Sequence, residues 1–368
     1  MKRLHGFLAT VLILALLAGC ASGAPSSSAP APSPAPSSSA AEPAGPIAII
    51  LPGATHGWTA GAAYFAQEKV KELGLTEGDG YKILTSANVN EQANQIEEVL
   101  DMGCSVVVLL PHNNEVSVAA DKIIAAGVPL VVFDRKVPNY DYYVAGNNPG
   151  HGQISAEYLG EKLGGKGIVA VMNTPSKGSV SSERVEGFKG VMKEKYPDIQ
   201  LVDVTSDGFS REDGLRMATD MLVAHPHLDA VFSIDDEPSL GILQAISEAG
   251  RTEIKYLTGG GGNQAYLGRI LNNEDPNITL LTATYSPAMI GHAIQVGYEI
   301  LGGGAPQLET IIPSVIVTKE NAAGYIDASS PYSSLAWQCP DGIHHARAFP
   351  LHTGGKQDEQ VRCGNGWH

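Results

Sequence analysis

The chain is expected to fold as two consecutive α/β lobes, each a doubly wound parallel sheet. Three observations predict this. Continuous Val/Ile/Leu runs alternate with helical stretches from Ile47 onward, and strands covered on both faces read as unbroken apolar runs. The alternation restarts after a polar break at Asn147–Gly152. Polar residues cluster just after strand carboxyl ends, where open α/β sheets hold their ligands.

In order, Ile47–Leu51 is an apolar strand and Ala60–Leu73 an amphipathic helix. Tyr81–Leu84 is a strand, Glu91–Met102 a helix, Val106–Leu110 a fully apolar strand and Val116–Ala126 a helix. Pro129–Phe133 closes the first series at Asp134-Arg135. The second series starts with a helix at His151–Leu163, the strand Gly167–Met172 and the helix Ser182–Tyr196. Gln200–Val204, Ala230–Ile234 and Ile254–Thr258 are strands, separated by helices at Arg211–His225 and Leu240–Ala249. Gln264–Leu271 is helical, Leu280–Thr284 a strand and Pro287–Leu301 the last long helix. Right-handed crossovers convert such a series into a doubly wound sheet.

The segment ahead of the lobes has a different character. Met1-Lys2-Arg3 is basic, Phe7–Leu17 is apolar, and Leu17-Ala18-Gly19-Cys20 follows. This is the layout of a secretory signal, with an apolar core shorter than the roughly 20 residues a bilayer span needs. With cysteine directly after Leu-Ala-Gly it resembles a bacterial lipoprotein signal. The resemblance implies cleavage before Cys20, acylation of its thiol and a lipid anchor on the outer side of the cell membrane. Residues 21–45 are almost wholly Ser, Ala, Pro and Gly, with Glu42 the only charge. Such a stretch has nothing to bury and reads as a tether.

Hydrophobic residues at 43% and charged residues at 17% indicate a globular chain. The net charge of −15 excludes the clustered basic surface that nucleic acid requires. After Cys20 only Cys104, Cys339 and Cys363 remain, so no disulfide framework carries stability. Cys104, directly before an apolar run, reads as a buried thiol.

Several local segments then occur in order: Phe133-Asp134-Arg135, Glu183-Arg184-Val185-Glu186-Gly187-Phe188, Ala224-His225-Pro226, and Phe232-Ser233-Ile234-Asp235-Asp236-Glu237 with Leu240-Gly241. On these the chain resembles the periplasmic sugar-binding proteins of ribose-binding type (type I periplasmic binding proteins), over about residues 46–320. The resemblance implies two lobes joined by hinge crossovers, 46–146 with 286–313 and 147–285 with 314–332. It implies a substrate-binding lipoprotein of a sugar ABC importer, with no enzyme activity and no cofactor, acting as a monomer with membrane permease subunits.

It also implies the site. Asp134 and Arg135 match a carboxylate and guanidinium that read sugar hydroxyls, planar groups suited to paired donors and acceptors. Arg184 matches a second sugar-contacting arginine, and Asp235 stands where ribose binders usually carry Asn. Trp58 and Phe209 match rings that stack on sugar C–H faces, His56 matches a polar contact, and Tyr285 replaces a Gln at the hinge. After Ile254–Thr258 the family's Gly-Phe-Asp-Gly becomes Gly259-Gly260-Gly261-Gly262-Asn263. That removes a carboxylate: either backbone amides around Gly260 or the Asn263 side chain take over, or the ligand differs in shape from ribose. Asp134, Asp235 and Asp236 against Arg135 and Arg184 make the cleft neutral or slightly negative, which favours a neutral sugar or polyol over an anion.

Residues 333–368 carry Cys339, Cys363 and four His without the spacing of a zinc site. They read either as an extension without a fold, since periodicity is lost, or as a segment closed by a Cys339–Cys363 disulfide in the oxidising exterior. Two other readings share the sequence. An extracytoplasmic sensor would use the same lobes. A carbohydrate hydrolase would use Asp134 and Asp235 as acid and base, and turnover of a chromogenic glycoside separates it from a binder.

Overall fold

The computed structural model describes residues 45–54, 57–175, 178–273, 275–327, 330 and 332. The leader, Cys20, His56, Cys339 and Cys363 lie outside the described residues. Within them, no helix is long and apolar enough to cross a membrane.

The first lobe alternates β1 (Ile47–Pro52), α1 (Gly57–Glu72), β2 (Tyr81–Ser86), α2 (Val89–Asp101), β3 (Val106–Leu109), α3 (Ser117–Ala125), β4 (Leu130–Phe133) and β5 (Tyr142–Gly146). Successive residues of β1 feed opposite faces. Ile47, Ile49 and Leu51 pack with Trp58 and Ala62 of α1, while Ala48 and Ile50 pack with Ile96 of α2 and Ile123 of α3. Burial on both faces is why these strands read as continuous apolar runs.

The second lobe follows with α4 (Asn148–Lys162), β6 (Gly167–Asn173), α5 (Ser179–Lys195), β7 (Ile199–Thr205), α6 (Arg211–Ala224), β8 (Ala230–Phe232), α7 (Asp236–Glu248), β9 (Tyr256–Leu257), β10 (Gly260–Gly261), α8 (Gln264–Leu271), β11 (Thr279–Leu280) and β12 (Thr282–Thr284). Then α9 (Ile290–Leu301) and β13 (Glu309–Ile312) return to the first lobe before β14 (Ile316–Val317). One all-parallel sheet has the order β13-β5-β4-β3-β1-β2 and the other β11-β9-β8-β6-β7. A small third sheet, β10-β12-β14, lies where the chain passes between them.

The expected strand Leu280–Thr284 is divided at Leu281. Leu280 pairs with Leu257 in the second lobe, whereas Ala283 pairs with Gly260 and Ile316 in the small sheet. The chain changes sheets there because it is crossing between lobes. Two other crossings are tied to each other and to this one: Asn147 N donates to Ile312 O at 2.8 Å, and Thr284 N donates to Val315 O at 2.9 Å. The strands β5, β13 and β14 were not among the sequence expectations; β13 is a half-exposed edge strand without an apolar run to mark it. Cys104 is buried and unpaired, and burial pushes its thiol up to about 11.

Candidate functional site

Asp134 is the first residue past β4 and the one non-glycine described residue with positive φ, +64°. A non-glycine residue in that region is uncommon and persists where its surroundings fix it. Here Asp134 N donates to Val144 O at 2.9 Å, Arg135 N to Phe133 O at 2.8 Å, and the Tyr143 hydroxyl to Asp134 O at 2.7 Å. The turn directs the Asp134 carboxylate inward, where it is 4% exposed. Its Oδ1 accepts the Tyr285 hydroxyl at 2.6 Å. Arg135 keeps Nε 3.9 Å from Asp134 Oδ2 and donates Nη1 to His112 O at 2.7 Å.

From the second lobe, Arg184 on α5 is almost fully buried. Nε donates to Asn148 Oδ1 at 2.9 Å and Nη1 to Ile234 O at 2.6 Å, with the guanidinium 4.2 Å over the Tyr285 ring. Asn148 Nδ2 in turn donates to the Tyr285 hydroxyl at 3.2 Å. A continuous chain therefore runs Asp134–Tyr285–Asn148–Arg184, from one lobe to the other through the crossing strands. Tyr285 lies against Gly146, where an added methyl group would overlap its ring; only glycine there admits so close an approach. Burial, and then the Asp134 carboxylate, hold the Tyr285 phenol well above its usual pKa, so it donates at all ordinary pH.

Asp235 caps α7, accepting Glu237 N at 3.0 Å. The helix terminus is favourable for a carboxylate, yet the side chain also faces the cleft. Burial foremost, and then Asp236, push its carboxyl up to about 8, against the pull of Arg184. Asp236 points the other way. Its Oδ2 accepts Gly262 N at 2.7 Å and Asn263 N at 2.8 Å, and its Oδ1 accepts the Thr282 hydroxyl at 2.6 Å. Burial raises it to about 6 despite those three donors.

These contacts correct two expectations for the glycine-rich stretch. The backbone amides of Gly262 and Asn263 are taken by Asp236. The Asn263 side chain caps α8 through Ala265 N and donates to Glu237 Oε1 at 2.8 Å. Gly260 is buried against His151 and Ile234 O. Neither Asn263 nor Gly260 faces the ligand space; Gly261 does.

That space is a cleft with about 440 Å³ free of protein atoms, open solvent included. The first lobe contributes Trp58, Asp134 and Arg135, and the second Val180, Arg184, Phe209 and Asp235. Tyr285 and Gly261 complete it from the crossing strands. Trp58 is fixed twice: its ring stacks on Phe133 at 5.9 Å and 11°, and Nε1 donates to Tyr285 O at 2.8 Å. Val180 was not expected, although it stands four residues before Arg184 on α5, the spacing that puts two side chains on one helix face. Two Asp and two Arg line the cavity, and with its carboxyl pushed up to about 8 Asp235 is mostly protonated at neutral pH. Among the described residues no cluster of His, Cys, Asp and Glu is arranged to hold a metal ion.

The comparisons agree with this architecture. A family model described as a periplasmic binding protein domain matches residues 47–305. The ribose import binding protein of Bacillus subtilis (strain 168) is 28% identical over 235 residues, 63% of this chain and 74% of that protein. The D-apiose import binding protein of Actinobacillus succinogenes is 26% identical over 285 residues, 76% and 89% of the two chains. The xylitol-binding protein of Mycolicibacterium smegmatis is 24% identical over 249 residues, 65% and 69% of the two chains. Among solved structures, an ABC transporter solute binding protein from Mycobacterium smegmatis with bound glycerol superposes with TM-score 0.70. It has 21% identity, and the match covers 79% of this chain and 99% of that one. One from Bacillus halodurans with bound myo-inositol gives TM-score 0.69 at 17% identity, covering 77% and 98%. At those identities the structures establish the fold. With the family model spanning both lobes and the cavity between them, the chain belongs to the periplasmic binding protein domain family, and it is a binding protein, not an enzyme.

Proposed function

We propose that this protein is the substrate-binding lipoprotein of a sugar ABC importer, taking one neutral monosaccharide or sugar alcohol between its lobes. The observation that carries this reading is the composition of the cavity. One Asp and one Arg from each lobe face the same space, with the indole of Trp58 and the ring of Phe209 beside them. Planar charged groups read the directions of hydroxyls, and rings cover C–H faces. Both guanidiniums are already engaged by protein acceptors, Arg135 by the His112 carbonyl and Asp134, and Arg184 by Asn148 and the Ile234 carbonyl. That leaves little to offset a phosphate or carboxylate, whose burial would be costly. Relatives named for ribose, D-apiose and xylitol take ligands of this class.

Binding is coupled to closure because each lobe supplies half of the contacts. A ligand favours only the state in which both halves meet it, and a membrane permease would receive that closed form. Cys20 would be the acylated residue, with residues 21–45 as the leash between lipid and lobes.

The test is a thermal-shift and calorimetric screen against D-ribose, D-apiose, xylitol, myo-inositol, hexoses and their phosphates. Ligand at a thousandfold its Kd adds about 4 kcal/mol to stability. A shift with a small group of neutral sugars or polyols is expected. Binding of a sugar phosphate with no binding of the free sugar would overturn the reading.

A further inference from the structure

Tyr332 packs behind the cavity, in the core cluster of Trp58 and Tyr285, without lining it. After β14, a 3-10 turn at Ala322–Tyr325 sits on α8, where Gln264 Nε2 donates to Tyr325 O at 3.0 Å and Gln264 Oε1 accepts Asp327 N at 2.9 Å. Tyr332 then forms an antiparallel bridge with Asn263, and its N donates to Ser330 Oγ at 3.3 Å. Its backbone is thus fastened beside the cap of α8. Its ring, 2% exposed, packs in the core of the first lobe with Trp58 and Tyr285.

The contacts are close on both sides. A methyl group on Gly57 would stand 3.0 Å from Tyr332 Oη and 3.2 Å from Glu237 Oε1, and one on Gly61 would stand 3.1 Å from Tyr332 Cδ2. Both glycines belong to α1, the helix that carries Trp58. On the far side, a methyl on Gly261 would lie 3.6 Å from Tyr332 Cε1, and Gly261 lines the cavity. One ring therefore lies between the helix that presents the indole and the strand opposite it. Tyr332 also stands beyond residue 305, where the family match ends.

We infer that Tyr332 is a positioning residue of the sugar site, a strap fastened at Asn263 whose ring holds α1, and with it Trp58, against the Gly261 wall of the closed cleft. The inference rests on the sugar-binding reading above. A tyrosine suits the place: its ring buries on the glycine face of α1, while its hydroxyl lies near Asn263 and Glu237. Opening the cleft must withdraw this ring from α1. The strap therefore slows ligand escape, and it reduces the ordering that binding must impose.

Two measurements on the full chain test it. Trp58, Trp337 and Trp367 are the three tryptophans. In a Trp337→Phe/Trp367→Phe background, indole fluorescence therefore reports on Trp58 alone during titration with D-ribose, xylitol or myo-inositol. Tyr332→Ala is expected to raise Kd about tenfold, chiefly through faster dissociation, while Tyr332→Phe stays within about threefold of the parent. In the unliganded chain, Tyr332→Ala is expected to speed hydrogen exchange in both 61–66 and 262–267, leaving β6 and β7 unchanged. An unaltered Kd with a merely lowered Tm, or unaltered exchange in those two segments, would overturn the inference. If the parent binds no sugar or polyol of the screen above while the exchange change is present, the sugar reading fails and the strap stands.

Discussion

The Tyr285 hydroxyl donates to Asp134 Oδ1 across 2.6 Å, joining a residue of the crossing strands to the carboxylate that follows β4. The same hydroxyl accepts from Asn148, which holds Arg184. Tyr285 thus sets the spacing between an acidic group of one lobe and a basic group of the other.

Tyr285→Phe keeps the ring and removes that link. Asp134 is 4% exposed, so its Oδ1 is left short of a donor that water does not readily replace. The expected loss is about 1–3 kcal/mol of unfolding free energy, read by urea denaturation. Sugar affinity should weaken in parallel. A variant within 0.5 kcal/mol of the parent would mean that the hydrogen bond carries no net stability.

Arg184→Lys conserves charge and removes the fork. One ammonium cannot reproduce Nε on Asn148, Nη1 on Ile234 O and the face over Tyr285 together. Affinity for the sugar found in the screen should fall by at least about tenfold, a loss of roughly 1.4 kcal/mol. Calorimetry would decide, and equal affinities would remove Arg184 from the binding set.

Much of this arrangement is legible in the sequence because parallel strands buried on both faces leave apolar runs, as β1, β3 and β4 do. The strand β5 is less visible, since Tyr142-Tyr143-Val144-Ala145-Gly146 mixes rings and small residues. Trp58, Asp134, Arg135, Arg184, Phe209, Asp235 and Tyr285 converge on one cavity. The glycine stretch was not readable in the same way. The direction of its amides depends on Asp236, 26 and 27 residues away from Gly262 and Asn263, and no local pattern records a contact of that range.

The raised carboxyls of Asp235 and Asp236 set a pH dependence. A carboxyl with a raised folded pKa holds its proton more tightly in the native than in the unfolded chain. Its contribution is full below the ordinary value of about 4 and is lost as pH rises through about 6 for Asp236 and about 8 for Asp235. The buried His151 and the surface-exposed His292, both held below their usual values, act in the opposite sense. Comparison with Asp235→Asn cancels them, and Asn preserves the cap on α7. Without ligand, the variant should have the higher Tm at about pH 9, with the difference shrinking toward pH 5. A difference independent of pH would show that Asp235 titrates normally.

The proposed anchoring is separable from folding. Cys20→Ser should move the protein from the membrane fraction to the soluble fraction with sugar affinity unchanged, since the lobes begin some 25 residues later. Retention in the membrane fraction would contradict acylation at Cys20.

Gly260 and His151 are matched in shape. An added methyl at Gly260 would overlap His151 Nε2 and come within 2.6 Å of Ile234 O. The His151 ring is fully buried, and neither of its nitrogens has a hydrogen-bond partner, so packing alone fixes it. Gly260→Ala should therefore cost about 1–3 kcal/mol, the usual penalty of overfilling a packed interior. His151→Ala should be destabilising as well, because it leaves a void. The double variant should cost less than the two losses added, with a coupling of about 0.5–3 kcal/mol, because the methyl then occupies vacated space. Rescue should be incomplete, since the Ile234 carbonyl belongs to the backbone and stays in place. Strict additivity in urea denaturation would mean that the two sites do not touch, and the glycine at 260 would then need another cause.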